Sequence, residues 1–342
     1  MPTARPTSMC LLSIALLGAV ASGCSGSSSG APDSSSPGTS TTTSTPPDDL
    51  DSPSPGCSTT ETTYPPGTTL GSIEASGSRS FRVHVPPGYI ADRPTPVILM
   101  LHGGGGSGEQ FQTRSSRMDL IADREGFVTV YPDGTGMLAT WNGGLCCGRA
   151  VQDGVDDVAF MSALLDHLEG ELCIDRRRVF ATGMSNGAIM SHRLACELSE
   201  RIAAIAPVAG TIGVTDCQPA RRVPVMQIQG TDDRHVPWEG GVGCGPSGAS
   251  FISVPDTMEG WRTRNGCDAS STEVFTEGNG RCMAHGGCEA PVVLCSIEGG
   301  GHSWPGGDPK ANVVNCPGDG AQSQTFSASE AAWRFFAENP LP

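Results

Sequence analysis

The sequence predicts one domain of the doubly wound α/β class, built on a mostly parallel sheet. Three observations lead there. Short strand-length runs alternate with a helical periodicity along most of the chain, which is the order of a parallel sheet with crossover helices. The runs are apolar at nearly every position, as strands covered on both faces are. The third is that four of them run straight into corners rich in glycine that carry Ser, Asp or His, and ligands of such sheets sit beyond the carboxyl ends of the strands.

The elements follow in order. Residues 79–85 (RSFRVHV) alternate like an entering strand, stopped by Pro-Pro-Gly at 86–88. Residues 96–101 (PVILML) read as a strand buried on both faces, and 127–131 (FVTVY) as a third strand. From about 155 to 172, Val158, Met161, Leu164, Leu165, Leu168 and Leu172 fall on one helical stripe, with Asp156 and Asp157 suited electrostatically to its N-terminus. A strand at 178–183, a helix at 187–199, strands at 203–208 and 223–229, a helix at 254–264, a strand at 292–297 and a last helix around 330–338 complete the alternation.

The N-terminus is set apart from this domain. Arg5, the apolar run 9–21 and the small residues before Cys24 read as a lipoprotein-type signal peptide over 1–23, too short to span a bilayer, which needs about 20 apolar residues. The ending resembles a lipobox and makes Cys24 the candidate lipidation site. Of the 32 residues 25–56, 30 are Ser, Thr, Gly, Pro or Asp, too little apolar surface to offset ordering entropy, so 24–60 reads as a disordered tether and 61–342 as the domain.

Beyond Cys10 and Cys24, twelve of the fourteen cysteines remain, an even number that in an exported chain reads as up to six disulfides. Cys282, Cys288 and Cys295 suggest a local loop. Cys146 and Cys147 are expected to stiffen their loop through separate bridges, since neighbours seldom bond to each other. A structural metal site is disfavoured by the lack of any Cys-x-x-Cys spacing. A net charge of −15, with 21 basic against 36 acidic residues and Lys310 the only lysine, argues against a nucleic-acid partner.

Four corners carry the chemistry. Gly183-Met184-Ser185-Asn186-Gly187, between a strand and a helix, has the context of a nucleophile elbow, with the Asn186 N–H at the helix start able to face an oxyanion. In 100–108 (MLHGGGGSG), Gly103 or Gly104 offers a second N–H; His102 reads as a structural hydrogen-bonder, and a phosphate loop is excluded by the missing Gly-Lys-Ser/Thr ending. In 227–238 (QIQGTDDRHVPW), Gly230, Asp233, Val236 and Pro237 match the acid corner of α/β-hydrolases, which favours Asp233 over Asp232 and leaves His235 at the rim. In 298–307 (EGGGHSWPGG), His302 completes the order Ser, Asp, His.

Together with YPDG, WNGGLCCG, VDDVAFM and the long stretch ELCIDRRRVFATGMSNGAIMSHRLACELSERIAAIAPVAG, these pieces make the chain resemble the secreted α/β-hydrolase esterases that include bacterial polyhydroxybutyrate depolymerases, feruloyl esterases and acetylxylan esterases. The resemblance runs from about residue 79 to the C-terminus. It departs at Gln229, where such corners often have His, and at Ala188, where relatives often have Gly; Gln229 is expected to lie outside the triad. It implies cofactor-free ester hydrolysis by a Ser185–His302–Asp233 triad on a polysaccharide or polyester, by a monomer that is secreted or anchored at the cell surface, with the lipid at Cys24 as its sole membrane link. Trp141 and Trp304 are either groove-lining or packing residues. A peptidase on the same scaffold would lack an added domain to select peptides, and a non-catalytic binding protein would have lost a triad member; all three are present.

Overall fold

Six strands run parallel through the middle of a ten-stranded sheet, and an antiparallel hairpin flanks them at either edge. The computed structural model describes residues 50, 52–59, 62–75, 77–309 and 316–342. In chain order the strands are β1 (Gly67–Glu74), β2 (Ser78–Val85), β3 (Thr95–Leu101), β4 (Val128–Pro132), β5 (Ile174–Met184), β6 (Ala204–Val208), β7 (Val225–Gly230), the two-residue β8 (Gly241–Val242) and β9 (Ser250–Phe251), then β10 (Ser271–Glu277), β11 (Gly280–His285) and β12 (Val292–Ile297). The helices are α1 (Gly108–Gln110), α2 (Met118–Glu125), α3 (Gly148–Gln152), α4 (Asp157–Glu171), α5 (Asn186–Glu197), α6 (Val254–Arg264) and α7 (Ala328–Ala337). The sheet order is β1-β2-β4-β3-β5-β6-β7-β12-β11-β10, with β8 and β9 forming a separate ribbon.

Strand alternation divides the core in two. Val97, Leu99 and Leu101 of β3 face α4, α5 and α6 across one layer, packing with Phe160, Leu164, Met190 and Trp261. Ile98 and Met100 face the other way, toward α2 and α7, with Ile121, Phe335 and Phe336. Helices on both faces explain why β3, β4, β6 and β7 are buried throughout. This is the α/β-hydrolase architecture that the sequence predicts.

Two expectations need correction. Residues 52–59, read as the end of the tether, are fastened to the domain, which forms one unit over Pro46–Pro342. Cys57 bridges to Cys173, and the buried Ser54 hydroxyl donates to Leu172 O and accepts from Ile174 N. The polar composition concealed a covalent clip that offsets the ordering entropy. Residues 1–49, 51 and 60 of the expected signal peptide and tether, Cys24 among them, lie outside the described residues. Cys146 and Cys147 bond to each other. The remaining bridges are Cys196–Cys217, Cys244–Cys316, Cys267–Cys288 and Cys282–Cys295, so no other cysteine among the described residues is left for either. Among the described residues no helix is long and apolar enough to cross a membrane.

Candidate active site

The sheet order brings the four corners together in pairs. β3 lies beside β5, so the glycine loop meets the Ser185 elbow; β7 lies beside β12, so the Asp233 corner meets His302; β6 joins the two pairs.

Ser185 sits between β5 and α5 with φ 56° and ψ −120°, a left-handed backbone that a non-glycine residue adopts only where its surroundings enforce it. The enforcement is visible in its glycine neighbours. A Cβ on Gly183 would strike Leu101 O and the Gly187 backbone, and one on Gly187 would strike Leu101 O and His102 O, so only glycines let the elbow pass β3 this closely. The Ser185 N–H donates to Val208 O on β6 (2.9 Å). Asn186 is the first residue of α5, a position whose N–H has no intrahelical partner. Its side-chain amide is paired with the Trp141 backbone in both directions, accepting from Trp141 N (2.7 Å) and donating to Trp141 O (2.9 Å), which holds the 141–147 loop against the elbow.

The glycine loop runs alongside. A Cβ on Gly103 would lie 3.5 Å from Ser185 Cβ, and one on Gly104 would lie 3.7 Å from Asn186 Cβ. His102 is buried and structural, as expected: its Nε2 accepts from Gly134 N (2.9 Å), leaving Nδ1 to donate to Gly103 O (2.8 Å). Burial pushes its pKa below the ordinary histidine value, against the raising effects of the Gly103 hydrogen bond and of Asp133 and Asp157.

Asp233 Oδ2 accepts from His302 Nδ1 at 2.9 Å, while Oδ1 accepts from the backbone N–H groups of His235 and Val236, each at 2.8 Å. Asp232 makes a turn contact instead, its N–H donating to Gly300 O. Burial would lower the His302 pKa, but the charge and hydrogen bond of Asp233, with the charge of Asp319, outweigh it and hold that pKa above the ordinary value. Glycines again set the approach: a Cβ on Gly230 would strike Gly300 O, and one on Gly301 would strike Gly320 O. Among the described residues no hydrogen bond yet joins Ser185 Oγ to His302, a contact that is commonly long before substrate binds.

Several residues differ from expectation. His235 does more than edge the site: its ring stacks on His302 with centroids 4.4 Å apart. Asp157 is no simple helix-terminal charge, because it is buried, ion-paired to Arg79 (2.8 Å) and accepts from Asn142 N, so it holds the loop beside Trp141; Asp156 caps α4. Trp141 and Trp304 are packing residues. Trp141 is fully buried with Nε1–H donating to His102 O, and Trp304 is buried edge-on to Phe111 with Nε1–H donating to Ser329 Oγ.

Two residues that sequence reasoning missed support the His302 corner. Asp319 accepts from His302 N through both oxygens (3.2 Å) and from Arg234 N, and nothing about its surroundings in the sequence marks it. Gln229 donates from Nε2 to Asp233 Oδ2 (2.9 Å), so the departure expected to lie outside the triad touches it. A polar residue one step before the corner glycine, at the end of a buried strand, was the available signal.

Residues 79–234 match the family model described as Esterase PHB depolymerase. Among curated proteins, the chain is 31% identical over 198 residues to feruloyl esterase B of Piromyces equi, covering 55% of this chain and 36% of that one. It is 30% identical over 162 residues to the bifunctional acetylxylan esterase/xylanase of Neocallimastix patriciarum, covering 47% and 22%. The chain thus spans well under two thirds of the length of these relatives. Among solved structures, the acetyl xylan esterase from Aspergillus awamori matches with a TM-score of 0.52 at 15% identity, over 69% of this chain and 94% of that one. Native sOPH matches with a TM-score of 0.53 at 18% identity, over 81% and 89%. At such identities the likeness to both structures is one of fold alone. The family match takes in the glycine loop, the Ser185 elbow and the Asp233 corner, and over these residues the chain is similar to the Esterase PHB depolymerase family.

Proposed function

We propose that this protein is a serine carboxylic ester hydrolase acting on feruloyl or acetyl esters of plant polysaccharides. The observation that carries the reading is the part-buried Asp233–His302 hydrogen bond, across one strand from a serine held in a strained elbow at a helix start.

In the proposed reaction the Ser185 hydroxyl oxygen attacks the ester carbonyl carbon while His302 Nε2, opposite the nitrogen bound to Asp233, takes its proton. The N–H of Asn186 and that of Gly103 or Gly104 donate to the oxyanion. The tetrahedral intermediate collapses, the alcohol leaves with the proton from His302, and an acyl-serine remains. A water molecule then gives its proton to His302 and its oxygen to the acyl carbon; the acid departs, and the proton returns to Ser185. Asp233 fixes the imidazole tautomer and stabilises the imidazolium. These steps call for no metal or organic cofactor.

The naming of feruloyl and acetylxylan esterases among the relatives supports a polysaccharide ester as substrate. The family description favours polyhydroxybutyrate or a related polyester as the second reading. The six disulfides among the described residues support function in an oxidising, extracytoplasmic compartment; the proposed form is a monomer, either freely secreted or anchored through Cys24.

A panel of feruloyl, acetyl and hydroxybutyrate esters and their amide analogues tests the reading. Release of ferulate or acetate, without amide cleavage or clearing of a hydroxybutyrate film, is expected. Ser185→Ala should lower kcat by at least about 10⁴-fold with its fold intact; a variant that keeps its rate would overturn the mechanism. Mass spectrometry of the mature N-terminus tests the anchor, and an unmodified Cys24 refutes it.

A further inference from the structure

Behind Asp233 runs a buried chain of hydrogen bonds whose direction is fixed at its far end. The head is Trp261 on α6, whose indole N–H can only donate. It donates to His192 Nδ1 on α5 (3.0 Å), so His192 Nε2 carries the ring proton and donates to Gln227 Oε1 (3.0 Å). The Gln227 amide is thereby oriented with Nε2 toward Gly210 O (3.1 Å) and Gln229 Oε1 (3.2 Å). That orients Gln229 in turn, with Nε2 donating to Asp233 Oδ2 (2.9 Å) and Val236 O (3.1 Å). Trp261, His192, Gln227, Gln229 and Asp233 are all buried, and each link leaves the next residue one possible orientation. Burial drives the His192 pKa down to about 4, against the raising hydrogen bonds from Gln227 and Gly210, so the ring stays neutral and the direction holds at neutral pH.

The chain ends on the oxygen that also accepts from His302 Nδ1. Two donors thus share Asp233 Oδ2, one neutral and permanent, the other becoming an imidazolium during turnover. Resting on the triad reading above, the geometry points to Gln229 as a positioning residue. It fixes the Oδ2 end of the Asp233 carboxylate, whose Oδ1 is held by the His235 and Val236 N–H groups, and tempers the hold of Oδ2 on the imidazolium, and the Trp261–His192–Gln227 chain keeps its amide from flipping. With Oδ1 pinned by two backbone N–H groups, loss of the Gln229 donor leaves Oδ2 room to tilt away from His302, and small misplacements of catalytic groups lower rates by up to about 100-fold. Because α5 also begins at the Ser185 elbow, His192 links the helix behind the nucleophile to the strand behind the acid.

The test uses Gln229→Met, which removes the donor at similar length, and Trp261→Phe, which removes the head of the chain and keeps most of its bulk. Active sites are counted first by stoichiometric labelling of Ser185 with a fluorophosphonate. Gln229→Met is expected to lower kcat/KM per active site by about 10- to 100-fold. Its acid limb should move to higher pH, because Oδ2 freed of its neutral donor attracts the imidazolium more strongly; the other charge acting on the ring, Asp319, and the titratable His235 ring stacked on it are unchanged. The downfield proton resonance of His302 Nδ1–H should shift with it. Trp261→Phe should move the limb the same way by less, and it carries the test if Gln229→Met does not fold.

A Gln229→Met limb that stays put or moves down overturns the proposal whatever the rate does, since a merely structural role changes the active fraction without moving the limb. Wild-type rate and limb in Trp261→Phe overturn the part that runs through the chain. If wild-type Ser185 is not labelled at all, it is the triad reading that fails.

Discussion

Asp233 accepts four hydrogen bonds, two on each oxygen, and this satisfaction offsets the desolvation of a nearly inaccessible carboxylate. His302 beside it has its pKa held above the ordinary 6.5 by Asp233 and Asp319 against the effect of burial. In the proposed mechanism the imidazole must be neutral to take the Ser185 proton, so kcat/KM should fall as pH drops through that pKa, placing the acid limb above 6.5. Asp319→Asn removes a raising charge and keeps an oxygen able to accept from His302 N; its limb should move to lower pH with less than about a tenfold loss of rate, read from a pH profile of ester hydrolysis. Ser185, Asp233 and His302 were legible because residues of reactive type stood at the ends of apolar strands. Asp319 and Gln229 were not, because their roles arise from contacts with residues distant in the chain and their types are common on any surface.

At the level of elements, the elbow depends on how closely α5 and β5 approach β3. In Gly187→Ala the new methyl would meet the backbone carbonyls of Leu101 and His102, which cannot rotate away as a side chain could. The expected effect is a loss of about 1–3 kcal/mol in urea unfolding, with a larger proportional loss in kcat than in substrate affinity because the Asn186 N–H moves with the helix start. The parallel strands were readable because burial on both faces makes them apolar throughout. β1, β10 and β11 escaped notice because they lie at or beside the sheet edges: β1 alternates between half-buried and exposed positions, and β10 is exposed over most of its length. Their pairing is antiparallel and set by partners, leaving little periodicity to read.

For the whole molecule the largest covalent constraint is Cys57–Cys173, which spans a sequence separation of 116 residues. Replacing both by serine should lower the unfolding free energy by about 2–5 kcal/mol in non-reducing urea titrations, with kcat per active site retained. The bridge also decides where the N-terminal segment takes hold. Cys173 leads directly into β5, which hydrogen-bonds to β3 on one side and β6 on the other and ends at the elbow. A force applied ahead of Cys57 therefore enters the sheet through an interior strand and bypasses the β1–β2 hairpin, which would otherwise unzip one hydrogen bond at a time. Held this way, the domain meets tension as a shear spread over two strand pairings, so a load ahead of Cys57 is borne by interior strands rather than by the edge hairpin.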